Sequence, residues 1–250
     1  MAKKYHILNG DALKEQFPSS LEGEIIVARE CMVDGPVNAG SLEELWATRS
    51  GFICNEYGGC TPLEYEQQSK GELEKVIHIP DGSVIYLWFE DDLFCQVNFW
   101  FVAFLLLENH SKYRAFLVRP AVHTPYGFGG LTQDQLLEQF EHATELKSLD
   151  RLAALWRFYQ KDDRTAMLDT ASELSHLSFI LEAVKAHIDR SPHNGMPGRP
   201  ILVLEEIISE FGSGNFGPVF REFCKRAPIY GYGDVQVKRM FDGIVGSSGS

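Results

Sequence analysis

Three short polar groups stand where apolar runs end, and their residue types are those of cation and anion chemistry. Asn9-Gly10-Asp11 follows Tyr5–Leu8, Arg29-Glu30 follows Ile25–Ala28, and Glu90-Asp91-Asp92 follows Val84–Phe89, with Gln96 one helical turn beyond Asp92. Carboxylates gathered closely repel one another unless protons, arginine or a divalent cation offset the charge. Hard oxygen donors with the Asn9 and Gln96 carbonyls beside them suit magnesium or manganese better than zinc. The pattern therefore predicts Asp11, Asp91 and Asp92 as metal ligands. It makes Asp11, Glu30 and Asp91 the catalytic set, with Glu30 as general base and Arg29 as an anion clamp. Asn9, Gly10, Arg29 and Gln96 form the expected ligand-binding set. Gly129 joins it because the loop Tyr126–Gly130 precedes a helix and its free amides would cradle a phosphate, although the spacing matches neither a dinucleotide fingerprint nor a Walker loop. The competing reading is structural: acids at helix starts act as caps, and Arg29-Glu30 forms a local ion pair.

The elements that must position these groups can be read from periodicity and turn residues. Tyr5–Leu8 is a strand ended by Asn9-Gly10, and Asp11 opens a short helix that stops at Pro18. Ile25-Ile26-Val27-Ala28 is a continuous apolar run, as in a strand covered on both faces. Asp34-Gly35-Pro36 is a turn, Ser41-Leu42-Glu43-Glu44 a capping box, and further helix lies within 62–77. Val84–Phe89 is the clearest strand, Leu93 to about Asn109 a buried helix, and Arg114–Arg119 a fourth strand. Strands alternating with helices argue for an α/β fold, a Rossmann-like three-layer domain with a mainly parallel sheet over 1–130. Its ligands would meet the carboxyl ends of the first and third strands, where strand order reverses.

Beyond Gly130 the texture becomes helical. Thr132-Gln133-Asp134-Gln135 is a capping box, and helical spacing continues through Leu149–Tyr159 and Ala166–Ile188. A Pro/Gly-rich stretch follows at 192–200, and three helices lie near 201–211, 218–226 and 234–245. Residues 131–245 are thus expected to form an all-helical region, and 246–250 a flexible Gly/Ser tail. Arg221, Lys225 and Arg226 with the Gly231-Tyr232-Gly233 turn sketch a helix-turn-helix, but local charge is balanced and Glu222 interrupts the basic face.

The whole chain carries 23 Lys+Arg against 35 Asp+Glu, a formal charge of −12, which argues against a surface built throughout for nucleic acid or anionic lipid. The N-terminus lacks a signal-peptide apolar core, so the cytosol is the expected compartment. The most apolar segment, 94–107, is too short to span a bilayer and carries Gln96 and Asn98. The five cysteines form no C-x-x-C pair and the eight histidines no H-E-x-x-H motif, so the cysteines read as reduced thiols and no zinc, haem or flavin signature is present. His6 alternates with core residues and reads as a core histidine. Trp88, Phe89, Phe94 and the aromatics at 99–104 read as core rather than a base-stacking set.

His6-Ile7-Leu8-Asn9-Gly10-Asp11, then Arg29-Glu30 with Asp34-Gly35-Pro36, then Trp88 to Asn98 together resemble a bacterial family catalogued as domain of unknown function eighteen thirty-five. The likeness covers about residues 5–130. The remainder resembles the helical region that often accompanies that domain, through Trp156 and Gly231-Tyr232-Gly233-Asp234. Relatives often carry histidine before the Asp of the third motif, where this chain has Glu90 or Asp91. The resemblance implies that the strand-end residues belong to one site and supplies no substrate. The expectation is a hydrolase or transferase acting on a phosphorylated small molecule or nucleotide with magnesium or manganese. The alternative is a non-enzymatic regulator whose α/β half senses a ligand while its helical half engages a partner or DNA.

Overall fold

The computed structural model describes residues 2–108, 112–121 and 127–248. Five strands form one sheet in the order β2-β1-β3-β4-β5: β1 (Lys4–Leu8), β2 (Glu24–Val27), β3 (Val84–Trp88), β4 (Arg114–Val118) and β5 (Thr144–Glu145). The first four are parallel, and β5 pairs antiparallel to the outer edge of β4 through Phe116–Glu145 and Leu117–Thr144. The chain runs from β1 to β2 on one side and returns to place β3 on the other. The expected reversal of strand order between β1 and β3 is therefore present.

Side-chain alternation divides the sheet between two cores. Ile7, Ile26, Ile85, Leu87 and Leu117 enter the larger one. They meet α2 (Leu42–Phe52), α4 (Gly71–Ile77), α5 (Leu93–Glu108) and α7 (Leu149–Gln160) there. Leu8, Trp88 and Val118 enter the smaller core on the opposite face, with Leu13 of α1 (Asp11–Glu15), Phe17, Phe128 and Leu136 of α6 (Gln133–Glu141). The one-turn helix α3 (Pro62–Tyr65) and two π-helical turns, Ile53–Tyr57 and Glu66–Lys70, complete the segment between α2 and α4. Helix α5 is apolar on every side, and from Val97 to Ala103 no residue is more than 2% exposed. Burial on all faces, at about 1.5–3 kcal/mol for each large apolar side chain, explains why it shows no amphipathic stripe.

The packing does not divide at residue 130. Helix α6 and strand β5 belong to the sheet layers, and α7 packs along α5. The larger core runs on through α8 (Arg164–Glu173), α9 (Ser178–Asp189), α10 (Arg199–Phe211), α11 (Phe216–Arg226) and α12 (Asp234–Ser248). The helical pattern expected over 166–188 is broken at Ser175–Leu177 by a 3-10 turn. Residues 246–248, expected as flexible tail, continue α12, while 249–250 lie outside the described residues. Asn109 and Tyr126, named in the sequence reading, lie outside them too. No described helix is long and apolar enough to cross a membrane.

Candidate functional site

The strand-end carboxylates do not converge as expected, because three of them hold separate arginines. Asp11 opens α1 at the surface and takes both Oδ atoms to Arg29 Nε, at 2.9 and 2.7 Å, while Arg29 also donates to the Gln68 carbonyl. Glu30 is buried. Its carboxylate accepts from Arg49 Nε and Nη2 at 3.1 and 2.8 Å, from the Tyr65 hydroxyl at 2.7 Å and from the Cys31 amide. Asp91 pairs with Arg119, which follows β4 and lies over the Phe179 ring. The metal set Asp11, Asp91 and Asp92 is therefore corrected: among the described residues the group able to share one ion is Glu90, Asp92 and Cys95, whose ligating atoms lie within 4.8 Å of one another. Glu90 and Asp92 gather with Cys95, whereas Asp91 turns to Arg119. Arg29, the expected anion clamp, is held by Asp11, and Glu30, the expected base, is neutralised within the core.

The observed cluster follows the carboxyl end of β3, and Asn9 from the end of β1 bonds to it. Asp92 caps α5 by accepting from the Cys95 amide at 3.0 Å, which places its carboxylate and the Cys95 thiol side by side. Asn9, just past β1, donates Nδ2 to Cys95 Sγ at 2.9 Å and accepts at Oδ1 from Asn98 Nδ2. Asn98, one turn beyond Cys95 on α5, also donates to the Glu30 carbonyl and accepts from the Met32 amide. The two asparagines thus bind the β1, β2 and β3 ends into one rigid edge. Gln96 is fully buried and donates to the Glu90 carbonyl at 2.7 Å, while its own Oε1 has no hydrogen-bond partner among the described residues. Asn9 and Gln96, expected as ligand-binding residues, both have hydrogen bonds at this edge. Gly10, at φ 96°, lets the chain turn sharply from β1 into α1.

Two glycines wrap the acids. Phe128 N–H donates to Glu90 Oε1 at 2.7 Å, and any side chain at Gly127 (φ 47°) would overlap the Glu90 carboxylate. The glycine-rich segment Gly127–Gly130 is a 3-10 turn that spends an amide on Glu90, while Gly129 is solvent-exposed. On the other side Gly231, at φ 62° after the turn Pro228–Tyr230, stands so close to Asp92 that an added methyl would overlap its carboxylate. Burial, with Asp92 and Asp91 nearby, raises the Glu90 carboxyl to about 7 against the single amide that lowers it. Burial, and then Asp92, push the Cys95 thiol well above its ordinary range.

His6 behaves as a core histidine. It is 1% exposed, accepts from Trp88 Nε1 at Nδ1 and faces the Glu22 carbonyl with Nε2, and burial lowers it to about 4. The aromatic residues of β3 and α5 are core. Two of the basic residues of α11 are engaged locally, since Arg226 pairs with Glu210 and Glu222, and Lys225 with Glu222.

Glu90, Cys95, Asn98, Arg49 and Arg119 were not among the expected site residues. The available signals were the period-2 alternation of 90, 91 and 92, and two polar residues, Gln96 and Asn98, inside an otherwise apolar helix. Comparison with protein-family profiles, with curated proteins and with solved structures gives no match.

Proposed function

We propose that the chain is a divalent-metal-dependent hydrolase or transferase acting on a phosphorylated small molecule or nucleotide, with Glu90, Asp92 and Cys95 as its cation ligands. The observation that carries this reading is the gathering of two carboxylates and a thiol within 4.8 Å at the point where strand order reverses. The reversal, with helices over both faces of the parallel strands, supports a Rossmann-like reading of the α/β half. A sulfur donor beside two carboxylates favours manganese or zinc over magnesium, because magnesium prefers an all-oxygen shell. A bound cation would withdraw the protons that burial keeps on Glu90 and Cys95, and would polarise a phosphoryl oxygen of a substrate held beside it. Asn9 and Asn98 hold Cys95 and the strand ends in place. Gln96 Oε1 offers a further buried acceptor to a substrate hydroxyl or amine.

The test is phosphate release from a panel of nucleoside and sugar phosphates by metal-depleted protein resupplied with manganese or zinc. Asp92→Asn, which keeps the cap on α5 but removes the charge, should abolish turnover. Failure to turn over any member of the panel, with cation binding intact, would reject the enzymatic reading. It would favour the second one, a ligand sensor, which rests on Gly231: the helical half touches Asp92 directly, so a ligand there would press on the turn leading into α12.

A further inference from the structure

We propose that a second cavity, between the segment after β2 and the C-terminal helices, binds a phosphate-like oxyanion through Arg190 and the Tyr232 hydroxyl. It has a volume of about 110 Å³, and its wall includes Val33, Asp34, Arg190, Tyr232, Gln236 and Arg239. One water takes up roughly 30 Å³ in the liquid, so the space exceeds what a single bridging water fills.

One charge on the wall, that of Arg190, has no carboxylate partner among the described residues. Asp34 and Arg239 are matched: Asp34 Oδ2 accepts from Arg239 Nη1 at 2.6 Å and from the Tyr57 hydroxyl at 2.8 Å, and Arg239 Nε also lies 3.9 Å from the Glu56 carboxylate. Arg190 has only neutral partners: Nη1 donates to the Val33 carbonyl at 2.6 Å and to the Tyr232 hydroxyl at 3.4 Å, and Nη2 to the Tyr159 hydroxyl at 3.0 Å. Its guanidinium also lies 5.8 Å from the Tyr159 ring centroid, and no carboxylate reaches it within ion-pair distance among the described residues. A partly buried guanidinium without a counter-charge is costly, and its planar fork suits two oxygens of one anion. Tyr232 accepts from Arg190, which leaves its own hydroxyl hydrogen to donate into the cavity. Gln236 is occupied, donating to Cys31 and Tyr57 and accepting from the Gly233 amide. The anion therefore rests on Arg190 and the Tyr232 hydroxyl, with Arg239, shared by Asp34 and Glu56, at the rim. The same oxyanion arises as free phosphate or as the phosphoryl end of a larger metabolite, and the proposal does not depend on the metal site.

Thermal unfolding is followed while sodium phosphate replaces sodium chloride at constant ionic strength. The melting temperature should rise saturably, by about 3–5 °C at ten times the dissociation constant. Arg190→Gln should remove the rise. Arg190 also ties Val33 to Tyr159, so this variant could fail to fold. Tyr232→Phe therefore provides a neutral second test, and should weaken phosphate about tenfold or more with unchanged circular dichroism. A simple phosphate monoester that binds as tightly as inorganic phosphate assigns the cavity to a phosphoryl group, and exclusion of the monoester assigns it to the free ion. No rise beyond that with chloride, or equal phosphate affinity in the wild type and a folded Tyr232→Phe, would overturn the proposal.

Discussion

Replacing Arg49 by methionine isolates the most deeply buried ion pair of the chain. The Arg49 and Glu30 side chains are 0% and 1% exposed. Besides its two bonds to Glu30, Arg49 donates to the carbonyls of Asp34, Pro36 and Cys31, so it also holds the turn that follows β2. Methionine preserves much of the volume but leaves the Glu30 carboxylate buried with only the Tyr65 hydroxyl and the Cys31 amide, and removes a donor from three carbonyls, of which that of Cys31 keeps the Asp34 amide. Removing one partner of a buried pair costs about 3–5 kcal/mol. That is a large share of the roughly 5–15 kcal/mol that stabilises an ordinary domain. At about 2–4 °C per kcal/mol for a chain of this size, the melting temperature should fall by about 6–20 °C. Urea unfolding followed by near-ultraviolet circular dichroism measures it, and the double variant Glu30→Gln, Arg49→Met should recover part of the loss because no lone charge remains. A loss under about 1 kcal/mol for Arg49→Met would refute the structural role assigned to Glu30 and return it to the list of candidate bases.

Three further outcomes are expected. Burial lowers His6 to about 4 from its ordinary 6.5, so the unfolded chain binds its proton first; the stability this contributes is present above pH 6.5 and is lost as pH falls toward 4. The loss is about 3 kcal/mol for His6, and His187, also lowered to about 4 chiefly by burial, adds to the same slope. A His6→Phe variant whose stability falls as steeply as wild type over that window would contradict this. Asp91→Asn, which loses only a partly exposed pair with Arg119, should cost about 1 kcal/mol or less in chemical denaturation and leave manganese affinity unchanged; loss of cation binding would restore Asp91 as a ligand. Gly231→Ala should destabilise the protein by about 1–2 kcal/mol from its left-handed backbone alone, and more from overlap with Asp92. A neutral result in thermal unfolding would show that the close approach is not required.

Much of the fold was legible because it is written in local pattern. The four parallel strands end within a residue or two of Asn9, Arg29, Glu90 and Arg119, and the Thr132 capping box is formed as read. What was not legible is non-local. Strand β5 has two residues and no alternation to detect, and it exists because it covers the edge of β4. The boundary at residue 130 followed a change of texture, whereas α6 and α7 are helices that cover the sheet. The site was half readable. The strand-end rule pointed to the edge where Asn9 meets Cys95 and Gln96 meets Glu90. Which acid stays available depends on arginines far away in sequence: Arg49 lies 19 residues from Glu30 and Arg119 lies 28 from Asp91. Nothing in a segment such as Glu90-Asp91-Asp92 announces that its middle member is already matched.

Equilibrium dialysis of manganese and zinc against metal-free protein tests the central claim most directly, with Glu90→Gln, Asp92→Asn and Cys95→Ser as near-isosteric controls. The account predicts one ion per chain in the wild type and affinity reduced at least about tenfold in the Glu90 and Asp92 variants. Wild-type protein that retains neither ion, or variants that retain them equally well, would contradict it.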